Sequence, residues 1–404
     1  MDGWREFGAE LRRMRLRAGL SVRGLARELH YDPGALSRFE NGRRKPPFEI
    51  VGALDRILCS GGSLTALYEN LAATEPESNR GTRLQLRESV ALNERRYIDS
   101  ALAGETAELL AETRRLEDRI GSELVLPLTV RQARIASALA LEARSVSRAP
   151  IVDVAAGWQQ FAGWLHASLG LHAAAVRHYR AALELATESG DVNMIATALS
   201  MRGHVAWMAG EVGPMIGLSR AAQRNSAALS PTVLAMAVQQ EGRGLALEGD
   251  LDAMEERLDT AAELLAGAGA DRPDAQYFYS DALIDIQRGM AYRLARRWDK
   301  AVVWLDRGLT GFDSELLTSE WATWYVAEFA CALAGAGEPE AACRQASQAL
   351  RVAVDTPGSR LPRFLGDLHR QMSVRWGGNP AVAELGEELI RAGSPAGEGG
   401  IRRP

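Results

Sequence analysis

The chain has 404 residues and a formal net charge of −5, a length that predicts two or three domains. Residues 1–72 hold 12 Arg and Lys against 9 Asp and Glu, so this end is basic (+3) and the remainder is acidic (−8). We find no signal peptide and no apolar run long enough to span a bilayer. We therefore expect a soluble cytoplasmic protein that has no membrane partner.

Two short helices around a tight turn are predicted between Ser21 and Asn41. Ser21 is a suitable N-cap for a helix over residues 22–29. Asp32 followed by Pro33 starts the second helix, because Asp caps free N–H groups and Pro has none to satisfy. Gly42 is a natural left-handed stop after it. This pattern is typical of a helix-turn-helix, whose second helix enters the major groove of DNA.

The second helix has a buried face and an outward face. Leu36 and Phe39 form the buried face, which leaves Gly34, Ser37 and Arg38 outward. Arg38 can donate two hydrogen bonds to guanine, Ser37 can reach a base edge or a phosphate, and Gly34 lets the backbone approach closely. A basic loop suited to phosphate oxygens follows, with Arg43, Arg44 and Lys45. An ordinary surface hairpin with a solvated basic loop fits the same residues.

The flanking sequence favours the DNA-binding interpretation. The segments LRAGLSVRGLA and LSRFENGRRKP make the chain from Phe7 to about Leu71 resemble the lambda-repressor-like, or XRE-type, helix-turn-helix family. The resemblance implies five helices, the first being FGAELRRMRLRAG and the last two covering residues 48–58 and 63–71. It also implies an ion pair between Arg15 and Glu40.

The resemblance assigns roles to the residues that meet DNA. It implies that Val22 and Arg23 contact the phosphate backbone of DNA. It also implies that Gly34, Ser37 and Arg38 read bases and that Asn41 and Arg43 contact phosphates. Two features depart from the family. His30 stands where Gly is usual in the turn, so a residue other than Gly must hold a tight, positive-φ geometry. Val22, Gly24 and Gly34 replace polar residues, so specificity leans on Arg38 and on DNA shape.

A linker and a connecting helix are expected over residues 73–122. The stretch ATEPESNRGTR is polar and contains Pro and Gly, which is typical of a linker. Leu84–Ile120 is a charged helical stretch. It fits either a helix that bridges the domains or pairs with its symmetry mate, or a solvated connector packed on the next domain.

Residues 123–392 contain a hidden repeat. A small residue in one helix is followed seven positions later by a stop, and the pairs are Gly163/Gly170, Gly203/Gly210, Gly242/Gly249, Gly289/Arg296 and Ala330/Gly337. Small or apolar residues recur five, nine and twelve positions after the stops, as at Ala175, Tyr179 and Ala182. Gly377, forty residues beyond Gly337, indicates a sixth, atypical closing repeat.

Close helix packing explains this pattern. A small residue lets a second helix cross nearby, and a stop makes the turn, so each unit is an antiparallel helix pair that stacks on its neighbours. The segment GLHAAAVRHYRAALELA resembles a tetratricopeptide repeat. The predicted fold is all-α, with an N-terminal helix-turn-helix domain over 1–72, a tetratricopeptide-like α-solenoid over 123–392, and a disordered tail over 393–404.

A solenoid of helix pairs offers a concave groove lined by the first helix of each repeat. Polar and aromatic residues on those helices are candidate ligand contacts, and they are Gln159, His166, Arg202, Gln239, Arg243, Asp285, Arg293, Trp324 and Glu328. The chain contains no Walker, GxSxG or HExxH motif. His166, His172 and His178, six residues apart, would be scattered around a helix, so we expect no metal site, no cofactor and no enzymatic activity. Cys59, Cys331 and Cys343 show no metal spacing and fit reduced buried thiols.

Together these features predict a homodimeric, sequence-specific transcriptional regulator. It would bind a double-stranded DNA operator and be controlled by a peptide or small-molecule effector in the solenoid. In layout the chain resembles the peptide-pheromone-responsive regulators of Gram-positive bacteria. A protein scaffold whose helix-turn-helix is residual, or acts with a partner protein, is the alternative.

Overall fold

The computed structural model describes residues 2–58, 60, 62–73, 98–267 and 274–393. These residues form nineteen α-helices and no strand, which confirms the all-α prediction. The chain divides into two compact units, residues 1–90 and 91–404. Cys59, the linker over 74–97 and the predicted tail from residue 394 lie outside the described residues.

The first unit contains the five predicted helices. They are α1 (Asp2–Arg17), α2 (Val22–Glu28), α3 (Pro33–Glu40), α4 (Phe48–Ile57) and α5 (Ser63–Ala73). Their apolar faces meet in one core, whose fully buried members are Phe7, Leu11, Leu25, Leu36, Phe39, Val51, Leu54 and Leu64. The burial of Leu36 and Phe39 fixes the outward face of α3 as the sequence predicted.

Three side chains cap helices in this unit. Ser21 Oγ accepts a hydrogen bond from the Gly24 N–H at 2.9 Å, and Asp32 Oδ1 accepts from the Ala35 N–H at 2.7 Å, as the sequence predicted. The third cap was not predicted, because it comes from another helix: Asp55 on α4 accepts the first N–H groups of α5. Burial alone would raise the pKa of Asp55, but these hydrogen bonds, with those from nearby hydroxyls, lower it.

The turns around α3 have the predicted backbone geometry. His30 has a φ of +51°, so the non-glycine residue does hold a left-handed conformation between α2 and α3. Gly42 has a φ of +62°, and a Cβ there would lie 2.7 Å from the Cα of Arg5. A side chain at Gly42 would therefore strain the left-handed backbone and clash with α1.

The second unit begins with two long helices, α6 (Ser100–Ile120) and α7 (Ser122–Glu142). Six helix pairs follow: α8 (Arg148–Ser168) with α9 (His172–Ser189), α10 (Val192–Met208) with α11 (Val212–Ala222), α12 (Pro231–Glu248) with α13 (Leu251–Ala266), α14 (Asp281–Leu294) with α15 (Trp298–Gly311), α16 (Glu320–Ala336) with α17 (Pro339–Val354), and α18 (Leu361–Trp376) with α19 (Pro380–Gly393). The first helices of successive pairs contact one another, so the pairs stack as a helical repeat.

The small residues of the repeat lie where the paired helices cross. A Cβ on Gly163 would lie 2.8 Å from the ring of Tyr179, and one on Gly289 would lie 2.6 Å from Leu305. The stops have left-handed φ values of +75° (Gly170), +78° (Gly210), +84° (Gly249), +56° (Arg296) and +90° (Gly337). The helix-pair period is thus confirmed, including the one stop that is not glycine.

Two details differ from the sequence-based expectations. Gly377 has a φ of −58°, so the closing pair turns without the left-handed residue that ends the others. His166 lies on α8, whereas His172 and His178 lie on α9, and the rings of His166 and His178 stack at 4.8 Å. The turn at Gly170 separates residues that we expected on one helix.

Helix α7 is the one described helix that is long and apolar enough to cross a membrane. This differs from the expectation that the chain has no apolar run of sufficient length. Helix α7 packs against α8 and buries Val125, Ala133, Ala136 and Leu139. Core helices pass the same test, so this is weak support for a membrane span.

Helix α6 is part of the second unit. Trp158 on α8 donates its indole N–H to the carbonyl of Thr106 at 3.2 Å. At the other end of α6, Asp118 accepts from the Tyr277 hydroxyl at 2.6 Å and from the Trp321 indole at 2.7 Å. Helix α6 therefore crosses from the first repeat to the fifth on the side of the first helices.

Candidate functional site

The outward face of α3 presents Arg38. Gly34 and Arg38 are exposed, and Ser37 is half-buried. The Arg38 side chain is 48% exposed, and its Nη2 lies 3.6 Å from Asp32 Oδ1. A surface ion pair of this kind contributes about 0.2–1 kcal/mol. Asp32 therefore orients the guanidinium only weakly. Breaking this ion pair so that Arg38 can contact a base edge costs little free energy.

A buried ion pair holds α3 against α1. Arg15 donates to Glu40 through Nε at 2.5 Å and through Nη2 at 2.7 Å, and it also donates to the Leu20 carbonyl at 2.7 Å. Both side chains are less than a tenth exposed. The hydrogen bond to Glu40 raises the pKa of Arg15, against the effect of burial. This is the pair that the family resemblance implied.

The remaining predicted DNA contacts surround α3 in the sequence. Arg23 and Arg43 are exposed, and the side-chain amide of Asn41 donates to the Ser37 carbonyl at 2.8 Å. Val22 is half-buried and packs on the core.

Two basic residues of the loop contact aromatic rings. The Arg44 guanidinium lies 5.8 Å from the Phe39 ring. The Lys45 ammonium lies 4.6 Å from the Trp4 ring and 4.9 Å from the Tyr68 ring. The charge of Lys45 is thus drawn towards the protein core, unlike that of Arg43.

The second unit contains a cavity on the inner side of its first helices. Its volume is about 850 Å³, with solvent at its mouth included. Five first helices and α6 form its walls, and the segment 275–279 completes them. The lining residues are Arg114, Glu117, Gln160, Phe161, Trp164, Thr197, Met201, His204, Met236, Gln239, Gln240, Arg243, Ala275, Gln276, Tyr277, Phe278, Tyr279, Leu283, Gln287, Trp321 and Tyr325.

Arg243 is the centre of a polar network in this cavity. Its Nη1 donates to Gln287 Oε1 at 3.0 Å, and its Nη2 lies 3.0 Å from His204 Nδ1. Gln239 donates to the same Gln287 oxygen at 3.1 Å, and Gln287 in turn donates to the Tyr325 hydroxyl at 3.0 Å. The network fixes the guanidinium at the cavity wall.

The protonation states in the network follow from burial. Burial lowers the pKa of His204 to about 3, so this imidazole is neutral near pH 7. Because arginine can only donate, the neutral Nδ1 of His204 accepts the hydrogen bond. Burial lowers the pKa of Arg243 to about 10, which leaves the guanidinium charged at neutral pH.

The cavity wall also carries a buried acid. Glu117 on α6 is 4% exposed and accepts from the Ser122 hydroxyl at 2.7 Å. Burial, with the nearby charges of Asp118 and Glu320, raises the pKa of Glu117 to about 8. At pH 7 this side chain is mostly neutral and can donate a hydrogen bond.

The structure places two of the nine predicted ligand residues, Gln239 and Arg243, in the cavity wall. The other seven lie outside it. The side-chain amide of Gln159 donates a hydrogen bond to the Ser137 hydroxyl and accepts one from the His178 ring, on the side away from the cavity. His166 stacks on His178, and Arg202, although half-buried, does not line the cavity.

The other four residues belong to separate contacts. Arg293 and Glu328 form a buried ion pair at 2.6 Å. Asp285 pairs with Arg307 at 2.8 Å. Trp324 donates to Glu320 at 3.1 Å and meets the ring of Phe364 edge-on.

Sequence reasoning missed most of the lining residues. Glu117 lies on the stretch taken as a connecting helix, and Tyr277 and Tyr279 lie in an irregular segment between repeats. A sequence signal did exist, because the aromatic run Tyr277–Tyr279 falls where the spacing of the stops lengthens from about 40 to 47 residues.

Comparisons with known proteins support the assignment of the first unit. Residues 6–67 match the family model of the helix-turn-helix domain, and this segment is a helix-turn-helix domain. A search of curated proteins finds no match.

The solved structures that are similar to the chain include BtubC and PlcR. BtubC from P. vanneervenii has 18% identity and a TM-score of 0.41, over 57% of this chain and 90% of that one. Bacillus thuringiensis PlcR, in a complex with the peptide PapR7 and DNA, has 13% identity and a TM-score of 0.33, over 75% of this chain and 95% of that one. Both TM-scores are below 0.5.

Proposed function

We propose that this protein is a cytoplasmic, sequence-specific DNA-binding transcriptional regulator of the XRE type, with no enzymatic activity. The observation that carries the proposal is the exposed Arg38 on a helix-turn-helix domain whose α3 is pinned by Arg15 and Glu40. Arg38 reads guanine in the major groove with Gly34 and Ser37 beside it. Arg23, Asn41, Arg43 and Arg44 contact phosphates, with Val22 packed under the start of α2.

The regulator acts as a homodimer on a roughly palindromic operator. Helix-turn-helix dimers bind half-sites one helical turn apart, which is about 34–36 Å. Few side chains on α2 and α3 can read bases, since Val22, Gly24 and Gly34 carry no polar group. Part of the specificity therefore comes from the shape of the operator.

The basic residues can be tested by the salt dependence of DNA binding. Fluorescence anisotropy of a labelled duplex from the chain's own upstream region would give the affinity between 50 and 200 mM salt, the range in which phosphate contacts are revealed. Arg43→Ala should weaken binding and flatten the slope of log affinity against log salt by about 0.9. Arg13→Ala removes an equally exposed arginine outside the predicted surface and should leave the slope unchanged.

The second unit is the effector sensor of the same regulator. Its cavity is lined by α6 through Arg114 and Glu117, and α6 is the first described helix after the segment that follows the DNA-binding domain. An effector, either a peptide or a small molecule, that binds between α6 and the repeats moves α6 or fixes it. It changes DNA affinity only to the extent that it prefers one arrangement.

A protein scaffold with a residual helix-turn-helix is the second candidate, and the scarcity of base-reading side chains favours it. In that case a fixed protein partner would copurify with the chain, and no duplex would be bound in 50 mM salt. Salt-sensitive binding to the upstream duplex would exclude this candidate.

A further inference from the structure

Arg243 is a buried cation with no carboxylate in contact within the described part of the chain. Arg243 is 3% exposed and forms no ion pair within 4 Å in the described residues; the Glu328 carboxylate raises its pKa from a greater distance and is itself paired with Arg293. The comparably buried Arg15 and Arg288 each contact a carboxylate, Glu40 and Asp259 respectively. Arg243 therefore differs from Arg15 and Arg288, whose buried charges are each compensated by a carboxylate in contact.

The partners of Arg243 are neutral, and its Nε nitrogen has no partner. Gln287, Gln240 and the neutral His204 accept from its two Nη atoms, and the indole of Trp207 covers the guanidinium at 4.0 Å. Its Nε–H is buried without a hydrogen-bond partner. A buried charge of this kind is costly unless an opposite charge arrives.

The rest of the wall limits what that opposite charge can be attached to. Phe161, Trp164, Phe278, Trp321 and Tyr325 line the cavity, so it accepts an apolar body. A dianionic phosphate would need a second cation, and Arg114, the other cation in the wall, is bound to Gln160. One guanidinium with aromatic walls suits one negative charge on a hydrophobic molecule.

We propose that the cavity binds an organic monocarboxylate with an apolar body, whose carboxylate pairs with the Arg243 guanidinium. This rests on the proposed effector function of the second unit and names the chemical class of the effector. Gln287 and Gln239 hold the guanidinium in place, and the aromatic residues contact the body of the ligand. The carboxylate belongs to a free small acid or to the C-terminus of an apolar peptide.

Isothermal titration calorimetry on the full chain tests this class directly. The probes are hexanoate, phenylacetate, indole-3-acetate and two N-acetylated apolar tripeptides, each compared with its uncharged primary amide. We expect at least one acid to bind at least about 30-fold more tightly than its amide, because the amide leaves Arg243 without a carboxylate in contact. Binding by the small acids or by the tripeptides distinguishes the two sources. Equal affinity for acid and amide, or no binding by any acid, would overturn the proposal.

Arg243→Met separates a binding role from a structural one. The variant should lose the preference for the acid over the amide, while the melting temperature without ligand stays the same or rises, because an uncompensated buried charge is removed. Arg257→Met is the control, since Arg257 pairs with its neighbour Glu256 and is not among the residues that line the cavity. A retained acid preference in Arg243→Met would refute the assignment.

The DNA affinity of each variant keeps this test apart from the proposed function. If Arg243→Met binds the upstream duplex as the wild type does but no longer responds to the acid, both proposals stand. If the wild type binds the acid with no change in DNA affinity, the carboxylate site stands and the effector role fails. If neither acid nor amide binds although DNA binding is intact, the carboxylate site alone fails.

Discussion

The ion pair between Arg15 and Glu40 offers the sharpest test of how α3 is positioned. Both side chains are less than a tenth exposed and share two hydrogen bonds. Removal of either partner leaves the other charge buried and uncompensated, which costs about 3–5 kcal/mol. We therefore expect Arg15→Met and Glu40→Leu each to lower the free energy of unfolding of the first unit by this amount.

The double variant should be less destabilised than the sum of the two single variants. With both charges gone, the site becomes apolar, and the coupling energy should reach about 2–3 kcal/mol. The bond from Arg15 to the Leu20 carbonyl is lost in both Arg15 backgrounds, so it cancels in the cycle. Hydrogen exchange measured by mass spectrometry on α1 and α3 peptides reports this unit separately. A coupling below about 0.5 kcal/mol would refute the reasoning, because it would mean that solvent screens the pair.

Three further predictions concern stability. The pKa of Glu117 is about 8 in the folded chain, against 4.5 in the unfolded chain. Because the folded state then binds more protons between these pH values, the free energy of unfolding falls as pH rises, by up to about 1.4 kcal/mol per pH unit. In denaturant unfolding, the free energy of unfolding of Glu117→Gln should rise relative to that of the wild type as pH increases across that range. A difference between the two that does not change with pH would contradict this. Gly289→Ala should lower the free energy of unfolding by about 1–3 kcal/mol because its Cβ meets Leu305. Gly104→Ala, with open space around it, should raise the free energy of unfolding by up to about 1 kcal/mol. Equal effects of the two changes in thermal melts would contradict the role of Gly289 as the residue where paired helices cross. Asp55→Ala should destabilise the first unit at pH 7 by about 1–2 kcal/mol, and hydrogen exchange should show the loss shrinking as pH falls below 3.8, since the lowered pKa confers stability only while the carboxylate is charged.

Local signals in the sequence predicted much of the fold. The caps at Ser21 and Asp32 set the ends of two helices, and a small residue seven positions before a stop marked each helix pair. Arg296 was identified as a stop although it is not glycine, because the crossing residue Gly289 preceded it at the right spacing. Such signals can be recognised in one sequence because they reflect sterics at single backbone positions.

The cavity could not be predicted in the same way. Period and spacing identify the first helices of the repeats, but not which of their faces meets the cavity and which meets α7 or the paired helix. Gln159 and Gln160 are adjacent, yet Gln160 lines the cavity whereas Gln159 bonds Ser137 and His178. Helix α6 reaches the cavity through contacts such as Asp118 with Trp321, which are 203 residues apart. Only the tertiary arrangement brings these residues together.

The central claim is that α3 reads DNA through Arg38. Selection of duplexes from a random library with the full-length protein, followed by sequencing, measures this directly. We predict that the wild type enriches a two-fold symmetric motif and that Arg38→Ala loses preference at one guanine in each half-site, at a cost of about 1–3 kcal/mol per contact. An unchanged motif with Arg38→Ala, or no enrichment by the wild type, would contradict the claim.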